Sequence, residues 1–181
     1  MKKTLLAIAL ALTTVFVFAQ EKKVTKTAHA KFHSHTALED ITSSNYKVTS
    51  TFTPSTGVFV FSVPMQSFEL SPSLRQKHFN SSKFLDTKQF PKAKFKGQIT
   101  DLTVVDFTKD GVYNVVVKGN LEIHGVKNKV TEKGILTVKN GSISVSSTFP
   151  ISLADYGVSF TKGKPSKNIA KTVEITIEAT Y

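Results

Sequence analysis

A chain of 181 residues with no cysteine and a formal charge of +11 is long enough to bury one sizeable core and has no disulfide or thiolate chemistry to draw on. The charge argues against nucleic acid as partner. Arg75 is the single arginine among 24 basic residues, and the lysines are spread singly along apparent strands, where they solvate a face and protect sheet edges; attraction to an anionic membrane surface stays open.

The first 19 residues read as a secretory signal. Lys2 and Lys3 give a basic start, an apolar run follows from Leu5 to Phe18, and Ala19 ends it with Val17 at the −3 position. The run is too short for a comfortable membrane span. Cleavage after Ala19 leaves 162 of the 181 residues, 20–181, as one domain, and lowers the formal charge from +11 to +9 by removing Lys2 and Lys3. No cysteine follows the run, which closes the lipoprotein route. The expected location is the periplasm or the exterior.

From residue 24 onward the apolar residues alternate. His29, His33 and His35 share one parity, opposite Ala28, Ala30 and Phe32. "TALEDI", residues 36–41, predicts one helical turn, with Glu39-Asp40 as a helix-end or surface pair. "YKVTSTF" places Tyr46, Val48, Ser50 and Phe52 on one strand face, and Pro54 to Gly57 form a turn. "VFVFSV" is apolar on both faces, which predicts a cover over its outer side.

Residues 72–91 break the alternation. Ser71 as N-cap and Pro72 at the first helical position predict a helix start. Residues 71–86 are expected to form a helix and loop across a barrel. Leu74, Phe79, Phe84 and Leu85 supply the apolar cover; Arg75 and His78 could bind a ligand's polar end, but the favoured role is to anchor the segment to the barrel rim, for example through Asp86. Alternation resumes after Lys109-Asp110-Gly111, where Tyr113, Val115, Val117, Gly119, Leu121 and Ile123 share a face. His124-Gly125 and Asn140-Gly141 are hairpin signals. "SISVSSTF" and "TVEITIEATY" complete about eight strands, the pattern of an all-β antiparallel sandwich or barrel.

Twelve of the 14 phenylalanines lie after Ala19, and there is no tryptophan. A small barrel either fills its interior or holds one small ligand. So many inward aromatic positions suit a lipophilic cavity. The candidate lining is Phe32, Phe59, Phe61, Phe68, Leu74 and Phe79 from the first half of the chain, with Phe84, Phe95, Tyr113, Val115, Val117 and Phe149 from the second.

Catalytic signatures are sparse. There is no Gly-x-Ser-x-Gly and no phosphate-binding glycine loop. His33-x-His35 could place two imidazoles on one metal, with His78 or His124 as a third ligand, which would make a metal-dependent hydrolase. The bland reading is exposed polar positions, with no carboxylate evidently placed to orient the imidazoles. His124 sits at a hairpin, where a bond to the turn backbone is expected. A structural envelope protein with a filled core is a further alternative. No cofactor is expected, and the oligomeric state, monomer or dimer, is left open.

Taken together, "FHSHTALEDI", "VPMQSFE", "LRQKHFN", "FLDTKQFPKAKFKG", "VKGNLEIHGVKNKV", "LADYGV" and "KNIAKTVEITIEATY" resemble the YceI-like lipid- and polyisoprenoid-binding domain family, in its small secreted Bacteroidetes-type form. The likeness covers essentially the whole chain after Ala19. It implies an eight-stranded, lipocalin-like antiparallel barrel closed by a short inserted helix. It also implies an elongated pocket for an isoprenoid chain, a quinone tail or another long lipid, and a carrier in place of an enzyme. Arg75, His78 and His124 then belong to the lid and its anchors. The lysine run Lys162, Lys164, Lys167 and Lys171 lies at the pocket-side loops.

Overall fold

The computed structural model describes residues 21–159 and 165–181. The expected signal at 1–19, and Lys162 and Lys164 of the lysine run, lie outside the described residues. Eight strands follow the alternation: β1 (Lys23–His35), β2 (Asp40–Thr53), β3 (Val58–Pro64), β4 (Lys92–Ile99), β5 (Gly111–Ile123), β6 (Val126–Lys139), β7 (Ser142–Ser152) and β8 (Thr172–Thr180). Each pairs antiparallel with the next, and β8 returns to β1, so the sheet closes into a barrel. Closure pairs every strand on both sides, although β6 meets β7 only over Ile135–Lys139.

The hairpin signals work as their chemistry requires. Ile123 faces Val126 and Lys139 faces Ser142 across two-residue turns. The turn residues His124, Gly125, Asn140 and Gly141 all have positive φ, between 50° and 77°, as the hairpin twist demands. Gly97 and Gly119 face each other on β4 and β5. A side chain on Gly119 would come within 2.5 Å of the Gly97 backbone, and the Phe95 ring lies against both glycines. Small residues here make room for an inward aromatic.

Three local expectations need correction. Residues 36–41 are a turn, not a helix: the Leu38 and Glu39 N–H groups donate to Thr36 Oγ1, the Thr36 N–H donates to Glu39 O, and β2 begins at Asp40. This is the side-chain-to-backbone alternative that Thr offers against helix. Tyr46 does not share the face of Val48, Ser50 and Phe52. Ala28 and Ala30 pair with Val48 and Asn45, so β2 carries one extra residue there. That bulge turns Tyr46 outward, 70% exposed and stacked on His29. Finally, α1 spans Ser73–Asn80 with Pro72, not Ser71, at its N-cap position and no side-chain cap.

"VFVFSV" also differs from expectation. Phe59, Phe61 and Val63 are buried, whereas Val60 is 36% exposed on the outer wall. The inserted segment therefore does not lie on the outside of β3. It leaves the β3–β4 rim and crosses the end of the barrel. The opposite end is filled. Phe52 stacks on Phe59 at 4.2 Å between centroids, with Phe107 and Tyr181 beside it and Leu136, Val138 and Ile143 in the same cluster. The core is thus a plug at one end, and the interior towards the other end is hollow.

Candidate functional site

The hollow part is a cavity of about 710 Å³, in the range of small-molecule sites. Its walls come from alternate residues of the strands, as the period of two requires. Phe59, Phe61 and Phe95 lie toward the plug, with Val115 and Val117 of β5, while Phe149 of β7 pairs with Ile175, which pairs with Phe32 toward the other end. Phe32, Phe68, Phe79 and Phe84 form the other end. Phe32 stacks on Phe79 at 5.6 Å and lies 5.3 Å from Phe68, and Phe79 lies 6.0 Å from Phe84. One ring in that group comes from β1 and three from the inserted segment, so the lid completes the cavity wall.

Eleven of the twelve candidate lining residues border this cavity. Tyr113 does not: its hydroxyl donates to the backbone oxygens of Asp106 and Lys109 in the β4–β5 connection, at the plugged end. Leu74 lines the mouth and is 59% exposed. Sequence reasoning missed Ile169 and Asn168 of the β7–β8 connection, and it missed Glu132. Glu132 shares parity with Val130, Gly134, Leu136 and Val138 on β6, so a carboxylate on an apolar parity was the available signal. Burial raises its pKa above the ordinary glutamate range.

The lid is fastened by buried polar groups. Asn45 Nδ2 donates to Pro64 O at 2.8 Å, and the Ser43 hydroxyl donates to Glu69 O at 2.7 Å. The Thr87 hydroxyl donates to Asn80 Oδ1 at 2.9 Å, which ties the end of α1 to the loop that follows. On the far side, the Ala170 N–H donates to Ser34 Oγ at 3.2 Å. Ser34, Ser43, Asn45 and Thr87 are all buried, and each is satisfied, as burial requires.

At the rim, Glu39 is the meeting point. Arg75 Nη2 of α1 donates to its Oε2 at 3.0 Å, and Asn168 Nδ2 donates to its Oε1 at 3.3 Å. Asn168 ends the short helix α2, Pro165–Asn168. Arg75 Nη1 also donates to Ser71 O at 2.6 Å. So Arg75 is an anchor, but through Glu39 and not Asp86, and Glu39 is more than a surface residue. His78 lines the mouth and is exposed; it has no side-chain hydrogen bond among the described residues, so it does not anchor the lid. His124 holds the two mouth loops together. Its Nδ1–H donates to Tyr156 O at 3.2 Å, and its ring meets Phe90 edge-on at 4.9 Å. The bond goes to the neighbouring loop, not to its own turn.

His33, His35 and Asp40 converge on the outer wall, their donor atoms all within 4.8 Å of one another. The third partner is thus Asp40, not His78 or His124. Asp40 Oδ1 lies 2.5 Å from His33 Nε2 and 3.7 Å from His35 Nδ1. The hydrogen bond from His33 holds the Asp40 carboxyl below its ordinary pKa. The cluster faces away from the cavity, because Phe32 and Ser34, the neighbours of His33 on the strand, point inward.

A family model described as a YceI-like domain matches residues 16–181. No curated protein matches the chain. Among solved structures, the chain is similar to a polyisoprenoid binding domain from Saccharophagus degradans (TM-score 0.75, 16% identity, 88% of this chain and 97% of that one). It is also similar to Burkholderia cenocepacia BcnA (TM-score 0.69, 17% identity, 85% and 96%) and to the Campylobacter jejuni YCEI protein (TM-score 0.54, 13% identity, 100% and 98%). At these identities the likeness is one of fold.

Proposed function

The chain belongs to the YceI-like domain family, and on that premise we propose that it binds one lipophilic molecule in the barrel cavity and carries or sequesters it outside the cytoplasm. The ligand class is a polyisoprenoid, an isoprenoid quinone or a similar long-chain lipid. The observation that carries this reading is the hollow half of the barrel, about 710 Å³ walled by aromatic and aliphatic side chains. A structural protein with a filled core would have no reason to leave that space, since an unfilled void costs its lining the missing contacts. The Saccharophagus degradans domain of the same fold is named for polyisoprenoid binding.

Affinity comes from apolar burial at ~25 cal/mol per Å², offset by the cost of ordering a flexible chain. Binding without turnover is the reading supported by Glu39, Arg75 and Asn168, three of the polar residues at the mouth, which are engaged with one another. Location rests on the leader-like residues 1–19. Lys83 of the lid segment is exposed and borders the cavity, and it gives the mouth a weak attraction to an anionic membrane surface, ~1 kcal/mol for a lysine in contact.

The test is organic extraction of protein purified from its native envelope, followed by mass spectrometry of the extract, and titration of the stripped protein with an apolar fluorescent probe. Co-purifying lipid and one saturable probe site are expected. No lipid in repeated preparations, together with no probe binding, would overturn the proposal.

A further inference from the structure

We propose that His33, His35 and Asp40 bind one transition-metal cation of the zinc type on the outer wall of the barrel, where it staples β1 to β2. The reasoning starts from strand geometry. His33 and His35 are two residues apart on β1, so both imidazoles leave the same face. In the β1–β2 ladder His35 pairs with Asp40 and His33 with Thr42, so Asp40 is directly opposite one histidine and diagonal to the other, within reach of both. Two imidazole nitrogens and one carboxylate oxygen converge within 4.8 Å.

The donor set selects the metal. Imidazole suits zinc, copper and nickel, whereas calcium and magnesium call for oxygen ligands. Donor-to-metal distances of about 2.0–2.2 Å require only small rotations, because the side chains of His35 and Asp40 are 70% and 66% exposed and that of His33 is 36% exposed. The fourth position of a tetrahedral site would be open to water. The cation is not a catalytic centre for the cavity's ligand, since the strand itself separates the two. Its effect is on the hairpin. It joins both strands at the start of the turn that carries Glu39, the residue on which Arg75 of the lid and Asn168 of the β7–β8 connection converge.

The alternative is that Asp40 simply holds His33 by a hydrogen bond, with no metal. Isothermal titration of the untagged chain with zinc chloride separates the two. One equivalent of zinc is expected to bind, and cobalt(II) bound in its place should give the visible absorption of a tetrahedral site. His33→Ala, His35→Ala and Asp40→Ala should each lower zinc affinity by at least ~10-fold, the lower end of what even outer-shell ligand partners contribute. His78→Ala, which changes an exposed histidine outside the cluster, should leave affinity unchanged. Zinc should also raise the melting temperature of the parent and not of His35→Ala, because a ligand that binds only the folded state stabilises it. Absence of stoichiometric binding, or equal binding by the parent and the three cluster variants, overturns the site.

Discussion

Arg75 Nη2 lies 3.0 Å from Glu39 Oε2, and the pair joins the lid helix to the β1–β2 turn. Asn168 of the β7–β8 connection meets the same carboxylate. Both side chains are about one-third exposed, so the pair contributes little to global stability, within ~1 kcal/mol. Its position at the rim gives it a kinetic role. Glu39→Gln should change the melting temperature only slightly while accelerating release of a bound apolar probe several-fold. Stopped-flow displacement measures this; release as slow as in the parent would mean that the rim does not gate the cavity.

Phe79 and His78 are neighbours with opposite expectations. Phe79 is buried, stacked on Phe32 and in contact with Phe68 and Phe84. Truncation to alanine should cost ~3 kcal/mol or more in stability and weaken probe binding, because the same ring borders the cavity. His78→Ala should alter neither beyond ~0.5 kcal/mol, as for a surface change away from any special feature. Denaturant midpoints and probe titration on both variants decide it, and a destabilised His78→Ala would show that the helix is anchored there after all.

The barrel was legible because alternation is a strong signal. The parity of β5, β7 and β8 in the sequence matches the observed inward positions throughout, and the Asn140-Gly141 and His124-Gly125 turns fall where their residue types place them. The bulge that ejects Tyr46 was not legible, since a single inserted residue leaves no mark in a short alternating run. The cover assigned to the outer side of β3 failed for a related reason: Val58 and Val60 are β-formers on a partly exposed wall, and their apolarity does not report burial. At the site, the aromatic lining could be listed from parity. The Glu39 contacts could not, because they join residues 36 and 129 positions apart in the chain.

Cavity volume sets a length limit for the ligand. At ~30 Å³ per non-hydrogen atom, taken from the share of a water molecule in the liquid, a space of about 710 Å³ holds roughly two dozen such atoms. Affinity along a series of prenyl alcohols should therefore rise with each isoprene unit to about four or five units and then level off, since further units remain outside. Competition against an apolar probe measures the series. A continued rise well beyond that length would mean that the cavity expands on binding.

At the plugged end, Tyr181 Oη lies 2.5 Å from Ser50 Oγ, and the Ser50 hydroxyl donates to Val60 O, so the tyrosine hydroxyl donates to Ser50. Burial pushes the Tyr181 phenol up to about 12 from its ordinary 10.0. The unfolded chain ionises first as pH rises, so the stability linked to this group is intact below about pH 10 and is lost between 10 and 12. Tyr181→Phe should lose ~1 kcal/mol at neutral pH, the net worth of a hydrogen bond, and should flatten the decline above pH 10. Chemical denaturation at pH 7 and at several alkaline values tests both; parallel alkaline profiles for parent and variant would remove Tyr181 from the explanation.

Glu132 is the polar exception in the cavity wall, and burial shifts it in the same direction as Tyr181, at a lower pH. It borders the cavity and also the seam between β6 and β7, whose ladder covers only Ile135–Lys139 and Ser142–Ser146. It has no ion pair or side-chain hydrogen bond among the described residues, and desolvation raises its pKa above the ordinary 4.5. The unfolded chain therefore releases this proton at lower pH than the folded one. Folding carries no penalty from Glu132 below about pH 4.5, acquires one as pH rises through the folded value, and carries it in full above that. The penalty stays below ~1 kcal/mol, because the carboxyl is largely wetted and its field is screened. Glu132→Gln keeps the shape and removes the charge. It should match the parent near pH 4, exceed it slightly in stability at neutral pH, and bind an uncharged apolar probe more tightly at neutral pH, because no ionised group then faces the ligand. Urea midpoints and probe titrations at both pH values measure these differences. A stability difference that is the same at both would show that the charge of Glu132 is not felt in the cavity.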